Sequence, residues 1–163
     1  MSSPSPETIR PATDEDLNGI AALFVRVFRS PPYGEDWELP VARQYLGDIM
    51  RSPARLAYVA TAPGKAVAGF LLGTCHGIVR ACVHEIAVDE ELRRRGIGSA
   101  LLGRFVDEVE QRGVRTVELL ARRDMPAYRF YRKRGFRKPR RVTLLIRSLP
   151  SPGNLPPGAS NAW

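Results

Sequence analysis

The chain has 163 residues, of which 44% are hydrophobic and 26% are charged, and its formal net charge is +8. This length predicts one domain, and the apolar fraction is too high for a disordered chain. The apolar stretch at 66–79 is too short to cross a bilayer, and the start MSSPSPET lacks the basic and apolar features of a secretory signal. Two cysteines and two histidines predict neither a disulfide framework nor a metal site.

The positive charge is unevenly distributed along the chain. Residues 1–50 hold eight acids against four arginines, whereas residues 51–163 hold 21 bases against nine acids. Ten of those bases lie at 122–141, where the acid is Asp124. A basic surface can bind nucleic acid, but the aromatic residues of this segment recur at helical spacing and therefore indicate core packing. We expect the basic part of the chain to meet an anionic small molecule rather than nucleic acid.

The spacing of apolar residues predicts alternating strands and helices within a domain at 7–148, flanked by disordered Pro- and Ser-rich tails at 1–6 and 149–163. Thr13 is a candidate N-cap for the first helix, and turn residues at 62–64 indicate a hairpin. The predicted strands are 7–12, 56–61, 65–76, 81–88, 114–120 and 142–146, and the predicted helices are 14–28, 41–51, 98–111 and 126–134. This order predicts a mixed α/β fold with helices on the faces of a sheet.

The most informative segment joins the strand at 81–88 to the helix at 98–111. A short polar turn leads into Arg93-Arg94-Arg95-Gly96-Ile97-Gly98, and the amphipathic helix follows at once. The first N–H groups of a helix have no intrahelical acceptor, and the helix dipole adds positive charge there. Glycines let an anion approach the backbone, so the pattern predicts a phosphate cradle. It lacks the Lys-Ser/Thr pair of a P-loop and the third glycine of a dinucleotide fingerprint.

This segment resembles the acetyl-CoA pyrophosphate loop of the GCN5-related N-acetyltransferases, the GNAT family. A second motif, Asp124-x-x-Ala127-x-x-x-Tyr131-x-x-x-Gly135-Phe136, is similar to a downstream family signature whose first position is usually Asn. The resemblance covers residues 7–148. It implies the GNAT-like acyl-CoA N-acyltransferase fold, in which a mixed and mostly antiparallel sheet is flanked by helices.

The resemblance also implies a cosubstrate, acetyl-CoA, and no metal. The backbone of Ile86, Ala87 and Val88 would pair with the pantetheine arm, and Tyr131 would lie near the thioester sulfur and protonate the departing thiolate. Asp124 would face the cofactor in place of the usual Asn, and its role stays open. The pyrophosphate would be held by the loop and the helix start, which comprise Arg93, Arg94, Arg95, Gly96, Ile97, Gly98 and Ser99.

Two neighbouring residues of the strand at 81–88 are candidates for the base that deprotonates the amine. Strict alternation places His84 on the face of Cys82, and Glu85 on the face of Val83 and Ala87. His84 has the more suitable ordinary pKa, whereas a bulge in the strand would turn Glu85 inward instead. Both assignments stay open. Cys82 is a weaker candidate for a nucleophile because nothing in the sequence lowers the pKa of its thiol.

The acidic first third of the chain contains the candidate acceptor site. In the GNAT fold the acceptor enters near the first two helices and their connecting loop, which here carries Tyr33, Glu35, Asp36 and Trp37. Carboxylates pair with ammonium groups, and an indole offers a cation–π face. This loop therefore predicts a cationic amine, either a small molecule or the amine of a peptide or protein.

We expect a cytoplasmic acetyl-CoA-dependent N-acetyltransferase that uses direct attack of a primary amine on the thioester, without membrane partners. The alternative is a non-catalytic acyl-CoA sensor or interaction module on the same fold. A monomer and a homodimer are both compatible with the sequence.

Overall fold

A computed structural model describes residues 8–147 and residue 149, so the predicted N-terminal tail and nearly all of the C-terminal tail lie outside the described residues. The strands are β1 (Thr8–Pro11), β2 (Arg55–Ala62), β3 (Lys65–His76), β4 (Arg80–Val88) and β5 (Val117–Leu119). The helices are α1 (Leu17–Arg29), α2 (Leu39–Met50), α3 (Ile97–Gln111) and α4 (Pro126–Lys133). The strands form one sheet in the order β1-β2-β3-β4-β5, in which β5 is parallel to β4 and the other pairs are antiparallel.

Both faces of the sheet are covered. Helices α1 and α2 pack on one face around residues such as Phe24, Leu46 and Phe70, and α3 packs on the other face through Leu101 and Phe105. The central strands β2 and β3 are nearly continuously apolar because their residues are buried on both sides. The predicted mixed α/β architecture is therefore observed.

Two predicted strands differ from the structure. The segment 142–146 has no regular secondary structure, and Val142, Leu144, Leu145 and Ile146 are exposed. Its run of apolar and β-branched residues favours a strand, but a strand also needs a partner edge, which the residue pattern cannot supply. The strand predicted at 114–120 is reduced to β5, because Val114 packs against α3 and donates its N–H to the Val109 carbonyl.

A bulge interrupts β4 at His84. Leu72 of β3 lies opposite Glu85 and the next residue, Gly73, lies opposite Val83, so His84 is an extra residue in the strand. The predicted strict alternation is therefore wrong across this point. Val83 packs in the α3 cluster, whereas Ala87 packs in the cluster under α1 and α2.

Candidate active site

The sheet opens between β4 and β5. Their pairing covers Ala81–Val83 of β4 and Val117–Leu119 of β5. Beyond this point Ile86, Ala87 and Val88 pair with β3 on one side, and across residues 8–147 no strand pairs with their other side. Backbone N–H and C=O groups along such an edge can pair with an extended ligand.

The open edge leads directly to the start of α3. After β4, the buried carboxylate of Asp89 accepts the N–H of Glu91 and fixes the turn. Arg94 and Gly96 then adopt left-handed backbone conformations, with φ angles of 62° and 87°, and Gly96 is the N-cap of α3. The predicted cofactor residues 86–88 and 93–99 thus form a continuous path from the strand edge to the N-terminus of a helix.

The side chain of Arg134, which follows α4, also reaches this helix start. Its guanidinium lies 3.7 Å from the centroid of the Phe130 ring and donates to the Ser99 hydroxyl. A cationic group is therefore positioned beside the first turn of α3. The spacing of the basic residues at 122–141 did not distinguish Arg134 from its neighbours.

A pocket of about 460 Å³ lies where β4 and β5 diverge. One wall comes from α1, the following loop and α2, and the opposite wall comes from the β5–α4 segment and α4. The first wall is aromatic and carries the rings of Phe24, Phe28, Tyr33, Trp37 and Tyr45. The second wall is mostly apolar and contains Leu120, Ala121, Met125, Ala127 and Tyr131. The ionisable lining residues include Glu35, His84, Glu85 and Arg122. The pocket therefore combines a largely apolar lining with a small set of ionisable groups.

Glu85 faces this pocket, and the Tyr45 hydroxyl donates a 2.7 Å hydrogen bond to its Oε1 atom. Burial raises the pKa of Glu85 to about 7, the hydrogen bond from Tyr45 opposes that rise, and the charge of Glu35 adds to it. A carboxyl group with a pKa near neutrality can take up or release a proton at physiological pH.

His84, the other candidate base, is held differently. The residue as a whole is exposed, but one side of its ring packs against Thr74, with Nε2 2.9 Å from the Thr74 hydroxyl oxygen. Partial burial of the ring lowers the pKa of His84 below its ordinary value. Cys82 also lines the pocket, but burial raises the pKa of its thiol, which reduces the fraction of reactive thiolate.

Tyr131 lies in the wall opposite Tyr45. It is buried on α4, where its ring packs edge-on against Phe130 and Phe136. Burial, together with the charge of Glu85, raises the pKa of Tyr131 above its ordinary value. Its hydroxyl therefore holds its proton at neutral pH and can act as a donor.

Three of the four predicted acceptor residues line the pocket, namely Tyr33, Glu35 and Trp37. Asp36 is exposed and is not among the lining residues. Adjacent side chains of this extended loop point in different directions, so Glu35 and Trp37 face the pocket while Asp36 faces away. Trp37 Nε1 donates a 2.7 Å hydrogen bond to Glu35 Oε2, which ties the two inward side chains together.

The sequence of residues 53–138 identifies the family to which the chain belongs. These residues match a family model described as an acetyltransferase (GNAT) domain. The chain belongs to the GNAT acetyltransferase family. The family and fold class predicted from the sequence are thereby confirmed.

Several proteins described as acetyltransferases are similar in sequence to this chain. An uncharacterized N-acetyltransferase, MJ1207, of Methanocaldococcus jannaschii is 32% identical over 136 residues, which cover 79% of this chain and 60% of that protein. A mycothiol acetyltransferase of Clavibacter sepedonicus is 32% identical over 126 residues, 77% of this chain and 41% of that protein. The chain therefore spans only part of the length of these relatives.

A solved structure supports the same fold. The crystal structure of the ribosomal-protein-S18-alanine N-acetyltransferase from Escherichia coli superposes with a TM-score of 0.65 at 27% identity. The match covers 82% of this chain and 79% of that one.

The GNAT signature position occupied by Asp124 is exposed. Arg122 donates to both carboxylate oxygens of Asp124, with the shorter contact at 2.8 Å, and this hydrogen bonding holds the pKa of Asp124 below its usual range. The negative charge that replaces the usual amide is therefore paired with a cation of the same loop.

Tyr45 lines the pocket but was not among the predicted site residues. It lies on α2, and its ring stacks on Trp37. Tyr45 is 37% exposed, so burial did not oblige its hydroxyl group to find a protein partner. Nothing in the sequence identified Glu85 as that partner.

The remaining expectations concern metals and membranes. Within the part of the chain that the structure describes, no group of three or more His, Cys, Asp or Glu side chains is arranged to hold a metal ion. None of the helices in that part has the length and apolar character needed to cross a membrane.

Proposed function

We propose that this chain is an acetyl-CoA-dependent N-acetyltransferase that acts on a primary amine by direct attack on the thioester. The observation that carries the proposal is the pocket at the opening of the sheet. There Glu85, with a pKa of about 7, and the protonated hydroxyl of Tyr131 line one cavity. The pocket therefore contains both a proton acceptor and a proton donor.

The chain offers groups that fit the pantetheine arm and the pyrophosphate of acetyl-CoA. The free edge of Ile86–Val88 has the backbone donors and acceptors that an amide-containing pantetheine arm requires. The start of α3 presents N–H groups and a positive dipole to the pyrophosphate, with Arg93, Arg94, Arg95 and Arg134 nearby. Gly96 adds no side chain on this path, and the space beside its Cα is open, because an added Cβ would meet no atom within 4 Å. Acetyl-CoA supplies the acetyl group, activated as a thioester.

Glu85 then acts as the general base. Most primary amines are protonated at pH 7 and cannot attack until they lose a proton. Glu85 Oε1 or Oε2 accepts that proton, and the Tyr45 hydroxyl keeps the carboxylate oriented. The nitrogen gains the acetyl group as the C–S bond breaks, and the Tyr131 hydroxyl gives its proton to the leaving sulfur. Backbone N–H groups near Ile86 would stabilise the negative charge that develops on the carbonyl oxygen.

We further propose that the acceptor is a cationic small amine or a peptide amine and that the protein acts in the cytoplasm. The carboxylates of Glu35 and Glu85 support a cationic acceptor. The likeness to the S18-alanine N-acetyltransferase supports a peptide amine. Cys75 and Cys82 are free thiols, as is usual in a reducing compartment.

The test is an acceptor screen with acetyl-CoA that measures thiol release, combined with direct measurement of acetyl-CoA binding. Glu85→Gln is expected to lower kcat at least about 100-fold, since a general base contributes about 10²- to 10⁴-fold, while acetyl-CoA binding is retained. His84→Gln, at the adjacent position of the bulge, is the comparison. If His84→Gln removes the acidic limb of the pH profile and Glu85→Gln leaves it, Glu85 is not the base.

The Tyr131→Phe variant tests the donor. We expect kcat to fall while acetyl-CoA binding is retained, because the variant keeps the ring packing and loses only the hydroxyl. Acetyl-CoA binding without turnover on any amine would instead favour the non-catalytic sensor.

A further inference from the structure

The wall of the pocket formed by α1, α2 and their connecting loop is built from aromatic rings. We call Phe24, Phe28, Tyr33, Trp37 and Tyr45 the aromatic wall. Trp37 stacks on Tyr45 at 5.7 Å between ring centroids and meets Phe24 edge-on at 5.1 Å. Phe28 packs on Phe24 at 4.5 Å and on Tyr33 at 5.0 Å. The rings form one connected surface, so the wall is apolar and fixed in shape.

Two carboxylates lie beside the aromatic wall, one from the connecting loop and one from β4, and each accepts a hydrogen bond from a side chain of the wall. Trp37 Nε1 donates to Glu35, and the Tyr45 hydroxyl donates to Glu85. Because Glu35 affects the titration of Glu85, the two groups lie within electrostatic range of each other. Arg122 at the opposite side is already paired with Asp124. A ligand in the pocket therefore meets negative charge next to aromatic faces.

This combination selects among amines. Sugar hydroxyl groups that face the aromatic wall would lose water without gaining a hydrogen-bond partner from the rings, which disfavours amines with many hydroxyl groups. A carboxylate on the carbon next to the amine would be repelled by Glu35, and also by Glu85 in its ionised form. An apolar body, in contrast, would bury its surface against the wall while its ammonium group meets the ring faces and the carboxylates.

We propose that the acceptor is a primary amine attached to a bulky apolar, preferentially aromatic, group and lacking an adjacent free carboxylate. This inference rests on the proposed function, because it names the substrate class of the same site. The chemistry is shared by free arylalkylamines and by peptides whose first residue has an aromatic side chain. In both, the amine lies a few bonds from the ring.

The experiment compares five acceptors in the thiol-release assay: phenethylamine, a tetrapeptide amide beginning with phenylalanine, free phenylalanine, spermidine and kanamycin. We expect kcat/KM for one of the first two to exceed that for spermidine and kanamycin at least about tenfold, the size of a single cation–π or apolar contact. The kcat/KM for free phenylalanine should be lower than that for phenethylamine and lower than that for the tetrapeptide amide. The ranking of the first two distinguishes a small-molecule source from a peptide source. A preference for spermidine, kanamycin or free phenylalanine overturns the inference.

Matched variants test the residues involved. Glu35→Gln is expected to raise the KM of the preferred acceptor about three- to tenfold, because one attractive charge is lost. Glu38→Gln makes the same chemical change in the same loop, but Glu38 is exposed and does not line the pocket, so KM should stay the same. Trp37→Leu should remove most of the preference for aromatic over aliphatic amines. Equal effects of Glu35→Gln and Glu38→Gln, or an unchanged preference in Trp37→Leu, contradict the inference.

Calorimetric titration of the protein with phenethylamine and with spermidine keeps the inference separate from the proposed function. One outcome is that no amine is acetylated, that phenethylamine binds more tightly than spermidine, and that Trp37→Leu weakens the binding of phenethylamine. The proposed function then fails and the inferred ligand class stands. If amines are acetylated but spermidine binds more tightly, the proposed function stands and the inference fails.

Discussion

Asp89 connects three parts of the fold through one buried carboxylate. It lies at the end of β4, and its side chain is 3% exposed. Its Oδ2 atom accepts from Arg26 of α1 at 2.6 Å and from Lys65 at the start of β3 at 2.7 Å, while Oδ1 accepts the Glu91 N–H. The turn that leads to the start of α3 is therefore anchored to both a helix and a strand.

We expect Asp89→Asn to destabilise the protein by about 1–2 kcal/mol. A hydrogen bond to a charged group contributes about 1.5–3 kcal/mol, and two such bonds lose their charge assistance. The full penalty of breaking a buried ion pair does not apply, because the Arg26 and Lys65 side chains are 55% and 34% exposed and can be rehydrated. Lys65 also keeps its contact with Glu91. The change corresponds to a decrease in Tm of about 3–8 °C.

The assay is urea unfolding at pH 7, with Asp48→Asn as the control. Asp48 forms an ion pair with Arg51 in which both side chains are more than 60% exposed. An exposed pair of this kind contributes about 0–1 kcal/mol, so the control should lie near the wild type. Equal losses in the two variants would refute the argument that burial gives the Asp89 network its strength.

The pH dependence provides a second check. Burial raises the pKa of Asp89, but the hydrogen bonds from Lys65 and Glu91 and the charge of Arg26 outweigh it, so the pKa lies below its usual range. A carboxyl group whose pKa is lowered in the folded state stabilises that state above its unfolded pKa of about 4 and loses this effect as the pH falls further. The stability difference between wild type and Asp89→Asn should thus be constant from pH 7 to pH 5 and shrink below pH 4. A difference that does not change with pH contradicts the charge-based explanation.

Three further substitutions test the site and the packing. Tyr45→Phe removes a hydrogen bond that lowers the pKa of Glu85, so the acidic limb of the kcat/KM profile should move to higher pH by about 0.5–1 unit; an unmoved limb contradicts Glu85 as the base. Gly73→Ala should cost about 2–3 kcal/mol in urea unfolding, because the added Cβ would lie 2.6 Å from the Cys82 carbonyl oxygen. Gly103→Ala, within α3, should instead stabilise by about 0.5–1 kcal/mol, because its Cβ would meet nothing within 4 Å. A gain at Gly73 or a loss at Gly103 would show that these contacts do not decide the outcome.

The elements that the sequence predicted well carry local signals. Strand β3 occupies the predicted residues 65–76, and α3 begins one residue before its predicted start. An apolar period, a turn tripeptide and the glycines at 96 and 98 define these elements within a few residues. The two family motifs are local in the same sense, and they predicted the family and the fold class that the comparisons confirm.

The arrangement of the proposed catalytic residues depends on contacts that no local pattern contains. Tyr45 and Glu85 are 40 residues apart, and their hydrogen bond exists because α2 covers the face of the sheet towards which Glu85 projects. The bulge at His84 depends on the register between β3 and β4, and both His84 and Glu85 line the pocket at this point. The segment 142–146 has a strand pattern but is not paired.

The charged residues show the same difference between what the sequence determines and what the tertiary structure decides. Counting residues identified an acidic first third and a basic remainder, because composition needs no coordinates. Only the tertiary structure turned Glu35 towards the aromatic wall and Asp36 away from it, and paired Asp124 with Arg122. The amino-acid sequence determines which groups are available and the local elements that carry them. Packing between distant segments decides which of these groups meet, because burial and proximity set their pKa values and the ligands they can bind.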